Sequence, residues 1–302
     1  MCIYMTIKLK NIKKIKPFTT KKKLFRTNKR KTRKRIQKMI YTAGNTKIGQ
    51  GTHGNIYVDI DNPTLVTKSY NYDKTFCANL LDEYKIQKII QKSYTDQFIR
   101  IPRCCCYTIT NDTCQYKMER IFPLKDKSYY AIVNMNLPNV FRKFSHSNYG
   151  YEIGYNVLAT NYNVNVNKLS YEIGKMFSYL HYVLHIDGYD CELLYGRTSE
   201  YHAESEFFLI DYDKVQYVVY DLGYITHRKI DENTVDIKYL STDTKFAWFL
   251  YSAMISMSLI PNTSELCKQF IQGYSFYIPI SDEQIQKISK QVIEIILDNV
   301  DA

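Results

Sequence analysis

The first 38 residues contain no aspartate or glutamate, and the chain's charge follows from that absence. Sixteen lysines and arginines sit in this arm, whereas residues 39–302 hold 25 basic and 30 acidic residues. The formal charge of +11 on the 302-residue chain therefore comes from the arm alone, and the body carries −5. A broadly basic nucleic-acid-binding domain is excluded. Long apolar runs are lacking too. The longest, Phe246 to Ile260, is broken by serines and falls short of the roughly 20 residues a membrane helix needs. The stretch Cys2–Met5 is too short for the apolar region of a signal peptide. There is no Gly/Ser linker and no internal repeat. Paired C-x2-C spacing is missing among the eight cysteines. Without a signal peptide, those cysteines speak against a secreted disulfide scaffold, and a soluble intracellular protein is the expectation.

What remains is an ordinary globular composition, 45% hydrophobic and 24% charged. Tyrosine is frequent, at 29 residues, with much Ile, Asn and Lys, which reads as the coding bias of an AT-rich genome. Residues 7–38 are too densely like-charged to pack, so a disordered basic arm is expected at 1–38. The arm has three readings: a nuclear-localisation-type patch at Lys29–Arg35, a non-specific polyanion tether, or a solvated tail.

From Ile48 onward short alternating runs appear. Asn55–Ile60 and Leu65–Tyr70 read as strands joined by an Asp61-Asn62-Pro63 turn. Leu80–Gln91 has helical spacing, and Arg103–Ile109 and Cys114–Ile121 are strand-like. Four helices are expected later, at Asn167–Leu184, Lys245–Ile260, Ser264–Tyr274 and Ser281–Asp298, the last opened by a Ser281 cap. Strands Phe207–Ile210 and Gln216–Tyr220 lie between the first two helices. The layout is α+β: the arm, a β-rich lobe at 39–125 and a helical lobe at 126–302.

Four motifs carry chemistry. Gly49-Gln50-Gly51-Thr52-His53-Gly54 is a G-x-G-x-x-G run, whose glycines allow a tight turn and let backbone N–H groups approach phosphate. A dinucleotide-binding turn of this spacing opens a helix, but here a strand follows, as in the phosphate-covering loop of kinases. Lys68 lies on the second strand of the next hairpin, where a phosphate-pairing lysine belongs, and Glu83 on the following helix can aim it. An exposed strand lysine and a surface glutamate are the ordinary alternatives. His185-Ile186-Asp187 stands where H-R-D would, with Asp187 as base and Glu192, five residues on, in place of the metal-binding Asn. The Arg is missing, Asp190 adds a second acid, and a plain surface turn is the alternative. Finally, Phe207-Phe208-Leu209-Ile210-Asp211-Tyr212-Asp213 is an apolar strand delivering an Asp and then an aromatic, the shape of D-F-G with Asp213 in place of Gly. Asp221-Leu222-Gly223 is a competing register further from Asp187.

In this order the motifs resemble the protein-kinase-like fold across residues 48–280. More narrowly, the chain resembles an uncharacterised, mainly fungal kinase-like family, often labelled a domain of unknown function or a zinc-finger protein. The residues carrying the resemblance are Ile101-Pro102-Arg103-Cys104, Met118-Glu119-Arg120-Ile121-Phe122-Pro123-Leu124, Ile186–Leu194 and Phe208–Asp213. The resemblance implies two lobes with a nucleotide cleft, and Met118 where a hinge would lie. The AT-biased composition would suit a giant virus, with the host cytoplasm or nucleus as the compartment. The zinc label finds no footing: Cys104-Cys105-Cys106 with Cys114 lacks ligand spacing, and adjacent strand cysteines point to opposite faces.

Three functions follow as expectations. In the first, ATP lies under Gly49, Gly51 and Gly54, Lys68 holds its phosphates, and Asp211 and Glu192 hold Mg2+. Asp187 then orients the hydroxyl of an unknown protein or small-molecule acceptor. No A-P-E follows Asp211, so a small-molecule acceptor stands level with protein. In the second, the same fold is a pseudokinase kept as a binding or scaffold module. In the third, the arm binds polyanions and is itself the function. No membrane association is expected.

Overall fold

Asp59 shows how sequence sets the local structure. Its Oδ1 accepts the backbone N–H groups of Asp61 and Asn62 at 3.1 and 3.0 Å, turning the chain at the expected place. A computed structural model describes residues 46–51, 54–71, 74–110, 113–125, 129–143, 150–202, 204–212, 215, 243–256 and 258–300. The basic arm, Thr52, His53, Asp213, the expected strand Gln216–Tyr220 and the Asp221 register lie outside them.

The described residues form a mixed α+β structure with two sheets and six helices. In chain order come β1 (Lys47–Gly51), β2 (Gly54–Val58), β3 (Leu65–Asn71), α1 (Lys74–Ser93), β4 (Ile99–Arg100), β5 (Cys104–Ile109) and β6 (Thr113–Glu119). Then follow β7 (Tyr130–Asn134), β8 (Phe141–Lys143), β9 (Gly150–Gly154), α2 (Tyr155–Tyr162), α3 (Val166–Tyr182), β10 (Glu192–Gly196) and β11 (Glu206–Ile210). The chain ends with α4 (Asp243–Ser256), α5 (Ser264–Tyr274) and α6 (Glu283–Asn299). None of the described helices is long and apolar enough to cross a membrane.

The first sheet has the order β1-β2-β3-β6-β5, every pair antiparallel. Tyr70, Cys104, Cys114 and Tyr116 on its inner face enclose a small core with Cys77 and Leu80 of α1. The second sheet has the order β4-β11-β10-β7-β9-β8. Strands β7, β8 and β9 were not anticipated, so the part beyond residue 125 is not simply helical. Its large core gathers the later helices, and Ile86, Ile90 and Tyr94 from the end of α1 reach into it. One helix thus belongs to both cores, its first half to one and its second half to the other.

Helices α3 and α5 cross at two glycines. A Cβ on Gly174 would stand 2.0 Å from the Phe270 carbonyl oxygen, and one on Gly273 would stand 1.9 Å from that of Tyr171. Only glycine permits so close an approach. The crossing fixes Tyr274 against the end of α3, which matters for the loop that follows. The last helix opens at Asp282, whose side chain accepts the N–H of Ile285 at 3.0 Å. Ser281 is therefore not the cap, a one-residue shift that leaves the expected helix in place.

Candidate functional site

Lys68 is the centre. It lies on β3 with 8% of its surface exposed, and its Nζ donates to Glu83 Oε1 at 2.6 Å and to Asp211 Oδ1 at 3.2 Å. These partners stand 15 and 143 residues away, so the fold, not local sequence, assembles the trio. Glu83 is 2% exposed and is also held by the Tyr116 hydroxyl, which donates to Oε1 at 3.0 Å. Tyr116 lies directly across from Lys68 in the β3–β6 register. Burial opposes the lysine's charge, yet the carboxylates of Asp211 and Glu83 outweigh it and hold its pKa well above the usual lysine value. The lysine is cationic throughout the physiological range. Burial and the Glu83 charge likewise push the Tyr116 hydroxyl well up, so it stays a neutral donor.

The glycine run forms the hairpin of β1 and β2. Gly49 pairs with Ile56, Ile56 with Lys68, and Lys68 with Tyr116, so one cross-strand row links the glycine hairpin to the lysine. Gly51 pairs with Gly54 at the tip. A Cβ on Gly54 would meet the Tyr70 ring at 3.0 Å, so this glycine lets the hairpin lie close over β3. Met118 is within β6, opposite Val66 and on the same face as Tyr116 and Lys68. Of Met118-Glu119-Arg120, the first two lie in β6 and Arg120 follows its end.

Asp211 ends β11 with φ 62°, the left-handed region that an aspartate enters only where its surroundings hold it. The holding residue is Tyr212, 1% exposed in the large core, its hydroxyl donating to the Leu209 carbonyl at 2.6 Å. This turn swings the Asp211 carboxylate toward Lys68, with its side chain still 39% exposed. Glu192 opens β10 and pairs with Ile210, which sets it one register position from Asp211. Among the described residues no group of three His, Cys, Asp or Glu is placed to hold a metal. Of the two carboxylates expected to hold Mg2+, Asp211 contacts Lys68, while Glu192 lies directly across from Ile210 and shares that residue's face of the sheet.

Asp187 sits in the turn between α3 and β10. It is 1% exposed, and its Oδ1 accepts the Tyr189 N–H at 3.0 Å. The turn is unusual: His185, Gly188 and Asp190 all have φ between 54° and 65°. Its anchor is His181, fully buried on the last turn of α3, with Nε2 3.0 Å from the Asp187 carbonyl oxygen and Nδ1 2.8 Å from the Tyr274 hydroxyl. Tyr182 donates to that same hydroxyl at 2.7 Å. Burial drives the His181 pKa down to about 4, so its ring is neutral and donates to the Asp187 carbonyl through Nε2.

Lys68, Glu83 and Asp211 are thus brought into direct contact. Gly49, Gly51, Gly54 and Met118 are aligned with Lys68 by register. Glu192 is set beside Asp211, and Asp187 is turned into its own loop. Three residues with evident roles carried no motif: Tyr116, His181 and Tyr212. Tyr116 was legible in principle, because Cys114, Tyr116 and Met118 alternate onto one face. His181 was named only as a helix end, and nothing local signals that it reaches six residues ahead.

The cysteines depart from expectation in two ways. Cys77 and Cys114 form a disulfide, with Cα atoms 5.6 Å apart. In β5 the register slips between Cys105 and Thr108, and Cys106 takes φ 59°. Simple alternation is therefore broken there. No family model matches this chain, and no curated protein matches it either.

Proposed function

We propose that this chain is a protein-kinase-like nucleotide-binding protein whose two sheets mark two lobes, with Mg-ATP between the glycine hairpin and Asp211. The single observation that carries this reading is a buried, cationic Lys68 shared between Glu83 and Asp211, in register with that hairpin. A buried lysine bound to one carboxylate would be ordinary structure. Two carboxylates, one part-exposed on a left-handed turn, describe a place where charge is exchanged with a ligand. An ammonium has three donors, and two go to Glu83 and Asp211. Among the described residues the third has no hydrogen-bond partner, and in this reading it goes to a phosphate oxygen.

In this reading Glu83 and Tyr116 aim Lys68 at the phosphates, the glycine hairpin offers backbone N–H groups above them, and Val66 and Met118 supply an apolar wall. Asp211 and Glu192 would hold the divalent ion, which supplies neutralisation of phosphate charge. Asp187 would orient an acceptor hydroxyl, and His181 holds its loop in place.

A second reading, an inactive binding module, is favoured by Asp187 itself. The residue is 1% exposed and its carboxylate accepts a bond from within its own loop. Ile186 in place of Arg and Glu192 in place of Asn point the same way. The two readings part in experiment. Thermal shift with Mg-ATP on wild type and Asp211→Asn tests the site, since asparagine tolerates the left-handed turn but loses the charge. A nucleotide-dependent rise in wild type that vanishes in the variant is expected; no rise in either refutes nucleotide binding. Transfer of labelled phosphate from ATP then separates enzyme from module. Binding of polyanions through residues 7–38 is a separate property, tested by deleting residues 1–38 and following the salt dependence of nucleic-acid affinity.

A further inference from the structure

We propose that Cys77 and Cys114 are a redox-modification site: their disulfide clasps α1 to the first sheet, and its reduction loosens the Lys68–Glu83 pair and weakens the site. The clasp follows from geometry alone, whereas its effect on nucleotide rests on the reading given above.

The placement is specific. Cys77 is in the first turn of α1, six residues before Glu83, and Cys114 is on β6, two residues before Tyr116. The bond therefore ties the helix that carries the lysine's partner to the strand that orients that partner. Cys114 also pairs with Tyr70 on β3, two residues from Lys68. Lys68 and Tyr116 thus lie two residues from the disulfide or its cross-strand neighbour, and Glu83 lies on the clasped helix.

The helix is held unequally along its length. Its second half is pinned by Gln87, whose Nε2 donates to the Pro102 carbonyl at 2.8 Å, and by Gln91, whose Oε1 accepts the Cys104 N–H at 3.2 Å. Ile86 and Ile90 are buried in the large core. The first half is held by the small core, the Tyr107 hydroxyl donating to the Cys77 carbonyl at 2.9 Å, the Phe76 ring stacked on Tyr70, and the disulfide. Glu83 lies between the firm end and the clasped end. With a rise of about 1.5 Å per residue, Glu83 is about 6 Å from Gln87 along the axis, so a tilt of about 20° there moves it about 2 Å. That displacement breaks a 2.6 Å ion pair.

The redox setting gives the bond a consequence. Cysteines inside a cell are kept reduced, and a disulfide there is characteristically transient or sensing. Reduction by a dithiol cleaves the S–S bond: two electrons and two protons pass to the Cys77 and Cys114 sulfurs, and the dithiol leaves as its own cyclic disulfide. Cys77 is 4% exposed and Cys114 is fully buried, so exchange waits on opening of the first turn of α1. That is the less firmly held end of the helix.

The test uses the full chain, oxidised and then reduced with dithiothreitol. Thiol alkylation with peptide mapping establishes the state of Cys77 and Cys114, and hydrogen exchange follows the amides of α1. Mg-ATP titration reads the site. Reduction is expected to speed exchange in the first half of α1 about tenfold, leave residues 87–93 unchanged, and weaken Mg-ATP binding about tenfold. Cys77→Ser should behave as the reduced protein, and wild type reduced in place keeps the test valid if that variant folds poorly. Equal exchange in both forms, or both cysteines alkylated in protein never reduced, overturns the proposal. If neither form binds Mg-ATP, the nucleotide reading fails, while the exchange comparison still decides the clasp.

Discussion

Replacing Lys68 with methionine leaves Glu83, 2% exposed, without its cation. Breaking a buried pair from one side costs about 3–5 kcal/mol, because the remaining charge stays out of water. The unit containing the site spans Asn45–Ala302, and in a unit of that size each kcal/mol lowers the melting temperature by about 2–4 °C. Lys68→Met should therefore melt roughly 6–20 °C below wild type. The Asp211 arm of the trio contributes far less. Its carboxylate is 39% exposed, and such a pair is worth about 1 kcal/mol or less, so Asp211→Asn should shift melting by at most about 4 °C. Glu83→Gln in the Lys68→Met background removes the stranded charge while leaving an acceptor for Tyr116. The double variant should accordingly be more stable than Lys68→Met alone. Thermal and urea denaturation of wild type, Lys68→Met, Glu83→Gln and the double variant provide the cycle. A Lys68→Met protein melting within 2 °C of wild type, or a double variant no more stable than the single, would refute a buried and coupled pair.

Further outcomes follow from other parts of the fold. His181 has a folded pKa of about 4 against an unfolded value near 6.5, so the unfolded chain binds the extra proton between these values. Stability from this group is complete above pH 6.5 and falls by about 3 kcal/mol as pH drops to 4. Urea melts against pH should show that slope, and His181→Gln should flatten it. Gly273→Ala drives a Cβ into the Tyr171 carbonyl and should cost about 3 kcal/mol by overpacking; a neutral result in chemical denaturation would show that α3 and α5 part freely. Opening the Cys77–Cys114 bond, which closes a loop with a separation of 37 residues, should lower stability by about 4 kcal/mol on the chain-entropy account. Melting of oxidised and reduced protein measures it. Asp59→Ala frees two turn N–H groups, removes the ion pair to Lys117 at 2.6 Å, and should cost about 2–3 kcal/mol without touching nucleotide-dependent stabilisation.

Much of the local structure was legible because local rules set it. The β2–β3 hairpin formed at its Asp-Asn-Pro turn, and α5 spans the expected Ser264–Tyr274. Helix α1 runs six residues further back than its periodicity suggested, to Lys74. Its opening turn, Lys74-Thr75-Phe76-Cys77, is stabilised by the disulfide and Tyr107, which periodicity does not reveal. The stretch from Tyr130 to Gly154 gave no strand signal, since β7 is completed by a parallel partner and β8 is a three-residue edge with every residue exposed. Such strands are defined by their neighbours more than by their own alternation.

The sequence by itself determined that charge is divided between a basic arm and an acidic body, and it supplied a glycine run, a strand lysine, a helix glutamate and a strand-borne Asp in a fixed order. These are local properties: side-chain type, turn chemistry and period. Only the tertiary structure decided which of them meet. It closed Lys68 onto Asp211 across 143 residues, turned Asp187 inward on a buried His181, and joined Cys77 to Cys114. The physical reason is that an ion pair or a disulfide depends on distance in space, and spacing along the chain does not fix that distance until the sheets and α1 have packed.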